Sequence, residues 1–330
     1  MANAGVTVTE VVPSGEPDSI GPPQTSTLRR ISGFAVLTLV SGGVILTIAR
    51  NWGDFVDSMQ RLGVRGATLS LLFGMIGVGG TFMQWRAVLR GLGVNFGIRD
   101  GAQVFFVSQL GKYLPGSVWP IVMQMQAGRA RGASRKTMLA ANLVTVVLGL
   151  ATGVVLAGVL LPFSYPSALH RFWWALASLP LVLFLAHPRS LPFLIDRVLR
   201  LLHRAPLGVQ MSVADTLRAS AWAVVCWIGL GLHLAVLVAA IGKPSIGLYA
   251  LCIGAMGLAV SAGILFIPAP AGAGLREVVL GYVLVAVVTS GQALAVVVAS
   301  RVLLIAADLL LAALFGFIGG RRVTVAPRQV

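Results

Sequence analysis

Long apolar runs, separated by short polar segments, are the main feature of this chain. A helix needs roughly 17–25 predominantly apolar residues to cross the hydrocarbon layer of a membrane. Six stretches meet that requirement, and they are residues 31–49, 67–85, 137–161, 170–187, 219–241 and 294–318. The pattern therefore predicts an all-α, polytopic helical membrane protein.

Two further regions are apolar but interrupted by helix-breaking residues. The first, residues 101–126, is interrupted by Gly111, Lys112, Pro115, Gly116 and Pro120. The second, residues 247–290, contains the run Pro268-Ala-Pro270-Ala-Gly272-Ala-Gly274. Because proline removes a backbone donor and clashes with the preceding turn, neither region should form one straight helix. Together with the six spans they give about eight membrane segments, and each region is either a re-entrant hairpin or a pair of short crossings.

The distribution of basic residues indicates the orientation of these segments, because short cytoplasmic loops collect Lys and Arg. If residues 101–126 form a hairpin, 17 Lys and Arg side chains lie inside and five outside. If this region crosses the membrane instead, the count becomes 15 inside and seven outside. The count favours the hairpin by a small margin and places the C-terminus inside in both cases. For residues 247–290 both forms stay open.

On the favoured topology the two broken regions enter the membrane from opposite faces. In secondary transporters, paired broken helices of this kind belong to inverted repeats, and the substrate site lies where they meet. The two halves of the chain show no visible similarity in sequence, so only the arrangement of the segments supports a repeat.

Composition agrees with a membrane protein, since 57% of the 330 residues are hydrophobic, 11% are charged and the mean hydropathy is +0.90. These values exclude an ordinary water-soluble globule. The net charge is +15, but the basic residues lie between apolar runs, so they indicate topology rather than nucleic-acid binding. The two cysteines lie in apolar runs and the histidines are scattered, so we predict no disulfide scaffold, no metal site and no cofactor.

The polar segments divide the chain into three parts. Residues 1–28 contain four prolines and no basic residue, which predicts a disordered cytoplasmic tail. Residues 29–322 form the membrane domain, and residues 323–330 form a cytoplasmic C-terminal tail. Within the domain, the basic segment 188–218 is either a helix on the membrane surface or a solvated loop. We expect a multi-pass protein of the inner or plasma membrane with both termini in the cytoplasm.

Charged and polar groups at membrane depth require a partner or a functional role, because a charge at a helix centre costs about 2.5–3.5 kcal/mol. Lys112 is followed by Tyr113, Pro115, Gly116 and Trp119, where broken helix ends leave free backbone N–H groups. A cation beside such donors would suit a phosphate. Alternatively, Lys112 extends to the interface and the two aromatic residues anchor the helix there.

The second broken region is predicted to form a loop that leads into the N-terminus of a helix. Glu277 suits the positive end of that helix, whereas Arg276 is unfavourable there unless an anion lies opposite, which makes it a ligand candidate. A structural ion pair is the alternative. In the last span, Arg301 and Asp308 lie on one helix face about two turns apart, too far for an intrahelical pair. For Asp308 a structural pairing is favoured over a functional role.

Neutral polar residues also occur within or beside the apolar segments. For these we expect hydrogen bonds between helices rather than metal or proton chemistry. They are Gln109, Gln124, Gln126, Asn142 and His233.

The two broken regions resemble the paired signatures of the lysylphosphatidylglycerol synthase transmembrane region, a flippase-like membrane protein family. The resemblance rests on Gly111-Lys-Tyr-Leu-Pro-Gly-Ser-Val-Trp-Pro120 followed by Arg129, and on Pro268-Ala-Pro-Ala-Gly-Ala-Gly-Leu-Arg-Glu277 followed by Arg301. It covers nearly all of residues 29–322. It implies a domain that moves a lipid between leaflets, either an aminoacylated phosphatidylglycerol or a polyprenyl-linked or other glycolipid.

Family members that synthesise aminoacyl lipid carry a soluble synthetase domain after the membrane part. Only eight residues follow Arg322 here, so we expect no synthetase domain and no enzymatic activity. The predicted function is a translocase for an anionic or phosphate-linked lipid or glycolipid. Two alternatives remain: a secondary transporter of a small anionic solute, and a non-transporting membrane partner of a glycosyltransferase or lipid-synthesis complex.

The predicted substrate-binding residues come from both broken regions and the last span. They are Lys112, Tyr113, Pro115, Gly116, Trp119, Arg129, Pro268, Pro270, Gly272, Gly274, Arg276, Glu277, Arg301 and Asp308. The predicted partner is a membrane lipid with an anionic or phosphate head group, a glycosyltransferase or lipid-synthesis enzyme is an optional second partner, and no nucleic-acid partner is predicted.

Overall fold

The computed structural model describes residues 52–113, 119–165, 167–180, 193, 196, 197, 200, 211–242, 244–265 and 274–318. Several predictions fall on other residues and therefore lie outside the described part of the chain. They concern the two terminal tails, the span 31–49, most of the basic segment 188–218, and the site residues Pro115, Gly116, Pro268, Pro270 and Gly272.

Regular structure in the described ranges is entirely helical. The helices are α1 (Trp52–Gly91), α2 (Ile98–Gln109), α3 (Trp119–Arg129), α4 (Arg135–Leu160), α5 (Ala168–Ala177), α6 (Val213–Ile241), α7 (Ile246–Leu265), α8 (Leu275–Leu284) and α9 (Ser290–Ile318). Short 3-10 turns continue α2 over Leu110–Tyr113 and α4 over Leu161–Phe163. A non-helical residue, Gly63, divides the 40-residue α1 into two parts.

Five of these helices, α1, α4, α6, α7 and α9, are long and apolar enough to cross a membrane. Four predicted spans are confirmed as parts of them, namely 67–85, 137–161, 219–241 and 294–318. The predicted span 170–187 is described only up to residue 180. Its described part contains α5, which bends at Phe172. The chain is thus an all-α, multi-pass membrane protein, as predicted.

Close backbone contact joins α1 to α6. A Cβ atom built on Gly229 would lie 2.6 Å from the backbone nitrogen of Gly77, and one built on Gly80 would lie 2.7 Å from that of Cys226. Apolar lipid offers helices little hydrophobic drive to associate, so van der Waals packing through small residues takes its place. The glycines therefore allow the backbones of α1 and α6 to lie in direct contact.

A buried histidine ties three spans together. His233 of α6 lies with Nδ1 2.9 Å from the Ser70 carbonyl oxygen of α1 and with Nε2 2.9 Å from Ser300 Oγ of α9. The Ser70 hydroxyl donates to the His233 carbonyl at 3.0 Å. A neutral imidazole that donates from Nδ1 and accepts at Nε2 satisfies all three contacts. The interhelical role predicted for His233 is confirmed.

Asn142 behaves differently from the prediction. Its amide donates to the Met138 carbonyl of the same helix at 2.9 Å, so the expected bond between helices is not what this side chain makes. The physical reason is local, because a short amide can reach back to the carbonyl four residues earlier.

Contacts at the helix termini define two ends of the bundle. End A is where α1 finishes and α6 starts, since Gly91 packs against Asp215. End B is where α1 and α9 both start, since Thr289 Oγ1 donates to Asp54 Oδ2 at 3.0 Å. Gly247 at the start of α7 packs against the Ser164 carbonyl that follows α4, so α4 finishes at end B and starts at end A.

The first broken region is a hairpin that enters from end A. Its helix α2 follows α1, and α3 returns to the start of α4, where Gly128 packs against Met138. Arg131 Nη2 donates to Gln103 Oε1 at 2.6 Å and joins the two arms. Helix α2 with its 3-10 turn is about 26 Å long and α3 about 16 Å, so both arms are too short to cross the roughly 30 Å hydrocarbon layer. The form favoured by the basic-residue count is the one found.

The second broken region enters from end B and returns there, but its arms are unequal. Helix α7 has 20 residues and could cross the membrane, whereas α8 has only ten. Neither expected form, two half-helices or two short crossings, describes this pair. The short arm is limited by the start of α9, where Thr289 and Gln292 form a reciprocal capping box with N–O distances of 3.1 and 3.3 Å.

We predict that Gly229→Ala lowers the stability of the protein. The added methyl group would meet backbone atoms of Gly77, so the free energy of unfolding should fall by about 1–3 kcal/mol. Thermal denaturation in detergent measures this. Gly79→Ala in α1 is the matched control, because nothing lies within 4 Å of its Cβ position and stability should not fall. Equal effects of both substitutions would contradict the packing described here.

A second prediction concerns the hairpin topology. Cysteines placed at Arg99 and Lys136 should react with a membrane-impermeant thiol reagent from one side of the membrane, and a cysteine at Ser290 from the other. The native Cys226 and Cys252 are buried and should stay unlabelled. Labelling of positions 99 and 136 from opposite sides would show that residues 92–134 cross the membrane.

Candidate functional site

Helix α9 carries two charged residues at its centre. Arg301 and Asp308 lie three residues before and four residues after Leu304, the middle residue of Ser290–Ile318. The seven-residue separation corresponds to about 10 Å along the axis. Because α9 is a candidate span, both side chains lie far from its ends, where an unpaired charge is costly.

Asp308 contacts the end of the first hairpin arm. Its Oδ2 atom lies 2.6 Å from Lys112 Nζ and accepts a 2.5 Å hydrogen bond from the Tyr113 hydroxyl. The Asp308 side chain is 4% exposed, against 30% for that of Lys112. The second oxygen, Oδ1, is buried and has no hydrogen-bond partner among the described residues. The structural pairing expected for Asp308 is therefore present.

Glu277 holds the second hairpin to the same helix. One carboxylate oxygen lies 3.6 Å from Arg301 Nη1, and the other accepts a hydrogen bond of 2.6 Å from the Gly274 N–H. Gly274 precedes α8 with a φ of 96°, a conformation that favours glycine. Glu277 thus satisfies an orphan donor at the start of α8, as its position in the sequence predicted.

Arg276 lies near both ion pairs without joining either. It interacts electrostatically with Arg301, Glu277, Asp308 and Tyr113. It makes no hydrogen bond or ion pair with any residue in the described ranges. We call Lys112, Tyr113, Arg276, Glu277, Arg301 and Asp308 the charged cluster. Three cations face two carboxylates, so the cluster holds one positive charge in excess.

The structure brings together six of the predicted site residues and holds others apart. Arg129 is exposed at the last position of α3, at end A, and no described contact connects it to the charged cluster. Trp119 begins α3 and is 38% exposed. Gly274 takes part through its backbone N–H. That these residues bind a substrate stays a prediction.

One side chain of interest was not singled out as a site residue from the sequence, and another lacks the contact expected for it. Arg171 of α5 donates from Nη2 to the Tyr282 carbonyl at 2.6 Å and lies 4.3 Å from the Tyr282 ring centroid, so it fixes the end of α8. The sequence identified it only as a loop charge. Gln124 is fully buried, and neither amide atom has a partner in the described part of the chain. The hydrogen bond expected for it is not found there.

The fold and the charged cluster define a multi-pass helical membrane protein in which two hairpins enter from opposite ends and both contact the charged centre of α9. A family-level comparison agrees with this class. The model of the lysylphosphatidylglycerol synthase TM region matches residues 31–312, and the chain belongs to that family. Membership indicates a role connected with membrane lipids. A comparison with curated proteins gave no match.

We predict that Asp308→Ala destabilises the protein more than Glu277→Gln does. The first change leaves Lys112 unpaired beside two further cations, with an expected loss between about 1 kcal/mol, as for an exposed pair, and about 3–5 kcal/mol, as for a buried one. The Glu277–Arg301 contact is longer, so its loss should cost less. The denaturation midpoint in detergent measures both.

The double variant Lys112→Met with Asp308→Leu is the control. It removes both charges at once and should recover most of the stability lost by Asp308→Ala. If the double variant is no more stable than the single one, the ion pair is not the origin of the effect.

Proposed function

We propose that this protein moves an anionic or phosphate-linked lipid or glycolipid between the two leaflets. The single observation that carries the proposal is the excess positive charge on Arg276, beside the part of α9 that both opposed hairpins contact. An unpaired guanidinium at membrane depth is unfavourable unless an anion accompanies it. A lipid head group supplies that anion while its acyl or prenyl tails stay in the bilayer.

The cluster has donors suited to a phosphate. Arg276 offers a planar set of N–H groups that can bind phosphate oxygens in pairs. It stands at the start of α8, whose backbone N–H groups and dipole favour an anion as well. Lys112 and Tyr113 would supply further donors if Asp308 released them.

Alternating exposure of this site would come from the hairpins. The first hairpin contacts α9 through Lys112 and Tyr113, which bind Asp308, and through the stacked rings of Phe106 and Phe315, and the second contacts it through the ion pair of Glu277 with Arg301. In the sequence, Pro and Gly residues interrupt both hairpins. Movement of either hairpin against α9 would open the cluster toward one end of the bundle, as in transporters built from opposed broken helices. The protein then acts as a carrier without chemical change of the lipid, in agreement with the expected lack of enzymatic activity.

We further propose that end A faces the cytoplasm of the plasma or inner membrane. Among described residues that can be assigned to an end, three basic side chains lie toward end B: Arg61, Arg65 and Arg171. Eight lie toward end A: Arg86, Arg90, Arg99, Arg129, Arg131, Arg135, Lys136 and Arg218. An excess of this kind marks the cytoplasmic side.

Translocation in reconstituted vesicles tests the proposal. Acyl-labelled fluorescent phosphatidylglycerol is incorporated with the purified protein, and quenching of the outer leaflet reports movement. Arg276→Gln and Lys112→Gln should each slow movement at least about tenfold, the size expected for loss of a charge-assisted contact. Arg61→Gln is the matched control, because it removes one charge from an exposed pair with Asp57 and should leave the rate unchanged.

An unchanged rate in Arg276→Gln, with the variant folded, would reject the assignment. The alternatives give different results in the same vesicles. A carrier of small anions would take up labelled inorganic phosphate and leave the lipid in place. A non-transporting partner of a lipid-synthesis enzyme would move neither, and would purify as a stable complex with that enzyme.

A further inference from the structure

No group in the described ranges corrects the excess charge of the cluster. The groups that act on Arg276 in the described part of the chain are Arg301, Glu277, Asp308 and Tyr113. The hairpin tips outside the described ranges, residues 114–118 and 266–273, contain no ionisable side chain in their sequence. His233, a buried titratable group on another span, has hydrogen bonds that suit a neutral imidazole. Counted over the described residues, the cluster therefore has a charge of plus one.

A site in the middle of a membrane discriminates strongly by net charge. Water and salt screen charges at a protein surface, but they do so poorly inside the hydrocarbon layer. Each unit of net charge left uncompensated at that depth raises the energy of the loaded state. The most favourable substrate is therefore the one whose charge brings the net charge of the cluster and the bound substrate to zero.

We propose that the head group accepted by this cluster carries one negative charge, as a phosphodiester does. This inference rests on the proposed lipid transport and adds the charge class of its substrate. A zwitterionic head group leaves the loaded site at plus one, and an aminoacylated phosphodiester with a net positive charge raises it to plus two. A diphosphate lipid carries at least two negative charges and leaves the site negative.

The charge that would select the substrate, on Arg276, is distinct from the charges of Lys112 and Arg301, which hold the site together. Lys112 and Arg301 are each bound to a carboxylate, at 2.6 and 3.6 Å, and these pairs hold the hairpins to α9. Arg276 has no such partner among the described residues, so removing it leaves both pairs in place. Arg276→Gln therefore changes the net charge of the cluster from plus one to zero with little change in its construction.

A charge series of labelled lipids tests the inference. The full-length protein is placed in phosphatidylcholine vesicles that contain one acyl-labelled lipid each: phosphatidylglycerol, phosphatidylcholine, lysylphosphatidylglycerol or a polyprenyl diphosphate. We expect phosphatidylglycerol to move at least about tenfold faster than each of the others. In Arg276→Gln this preference over phosphatidylcholine should disappear or reverse, because the zwitterion now matches the site.

A second variant changes the charge in the opposite direction. Asp308→Asn raises the net charge of the cluster to plus two while it keeps the shape of the side chain. The transport rate of the diphosphate lipid should therefore rise relative to that of phosphatidylglycerol. Asp57→Asn and Arg61→Gln change the charge of an exposed pair on α1 and should leave all ratios unchanged. If Asp308→Asn does not fold, Arg276→Gln alone still decides the question.

Lipid binding provides a readout that does not need transport. The protein in detergent is mixed with equal amounts of the four unlabelled lipids, and native mass spectrometry identifies the bound one. Transport of all lipids at equal rates, or equal slowing of all by Arg276→Gln, overturns the inference and leaves the proposed transport standing. Selective binding of phosphatidylglycerol without movement of any lipid rejects transport and supports the inference. If the protein neither binds one lipid selectively nor moves any lipid, both the inference and the proposed transport are rejected.

Discussion

Charge in the middle of a membrane must be compensated, and this requirement shapes the centre of the molecule. Helix α9 carries Arg301 and Asp308 near its midpoint, where each would cost about 2.5–3.5 kcal/mol if unpaired. The compensating groups come from two hairpins that enter from opposite ends, Glu277 from one and Lys112 from the other. The ion pairs thus bring the two hairpins to one helix face, and the hairpins in turn create a site that neither could form alone.

The rest of the bundle supplies a rigid support for that helix face. Ser300, directly before Arg301, contacts the buried His233, which also binds Ser70 of α1. Consecutive residues of α9 therefore contact the packed core on one side and a hairpin on the other. Close glycine contacts between α1 and α6 strengthen the core, whereas the contacts of the hairpins within the cluster are polar: Lys112 and Tyr113 bind Asp308, and Glu277 pairs with Arg301. This difference fits a carrier whose hairpins move against a fixed centre.

Much of the fold could be predicted because the bilayer constrains the order of apolar and basic residues along the chain. Uninterrupted apolar runs predict spans such as 219–241, and the basic-residue count favours the hairpin at 101–126. The unequal arms of the second broken region were not predicted, because apolar content does not say where α8 ends. That end depends on the capping box of Thr289 and Gln292 and on Arg171, which binds the Tyr282 carbonyl. Asn142 was misjudged for a similar reason, since only its rotamer decides which carbonyl it reaches.

The sequence by itself determined that the protein is an all-α membrane protein and which charged residues lie at membrane depth, because hydropathy and helix-breaking residues act locally along the chain. Only the tertiary structure decided which charges compensate one another. Lys112 and Asp308 lie in different segments of the chain, yet their side chains meet at 2.6 Å, while Arg276, next to Glu277, stays without a partner among the described residues. Pairing depends on distances between helices, and these follow from how all the helices pack together.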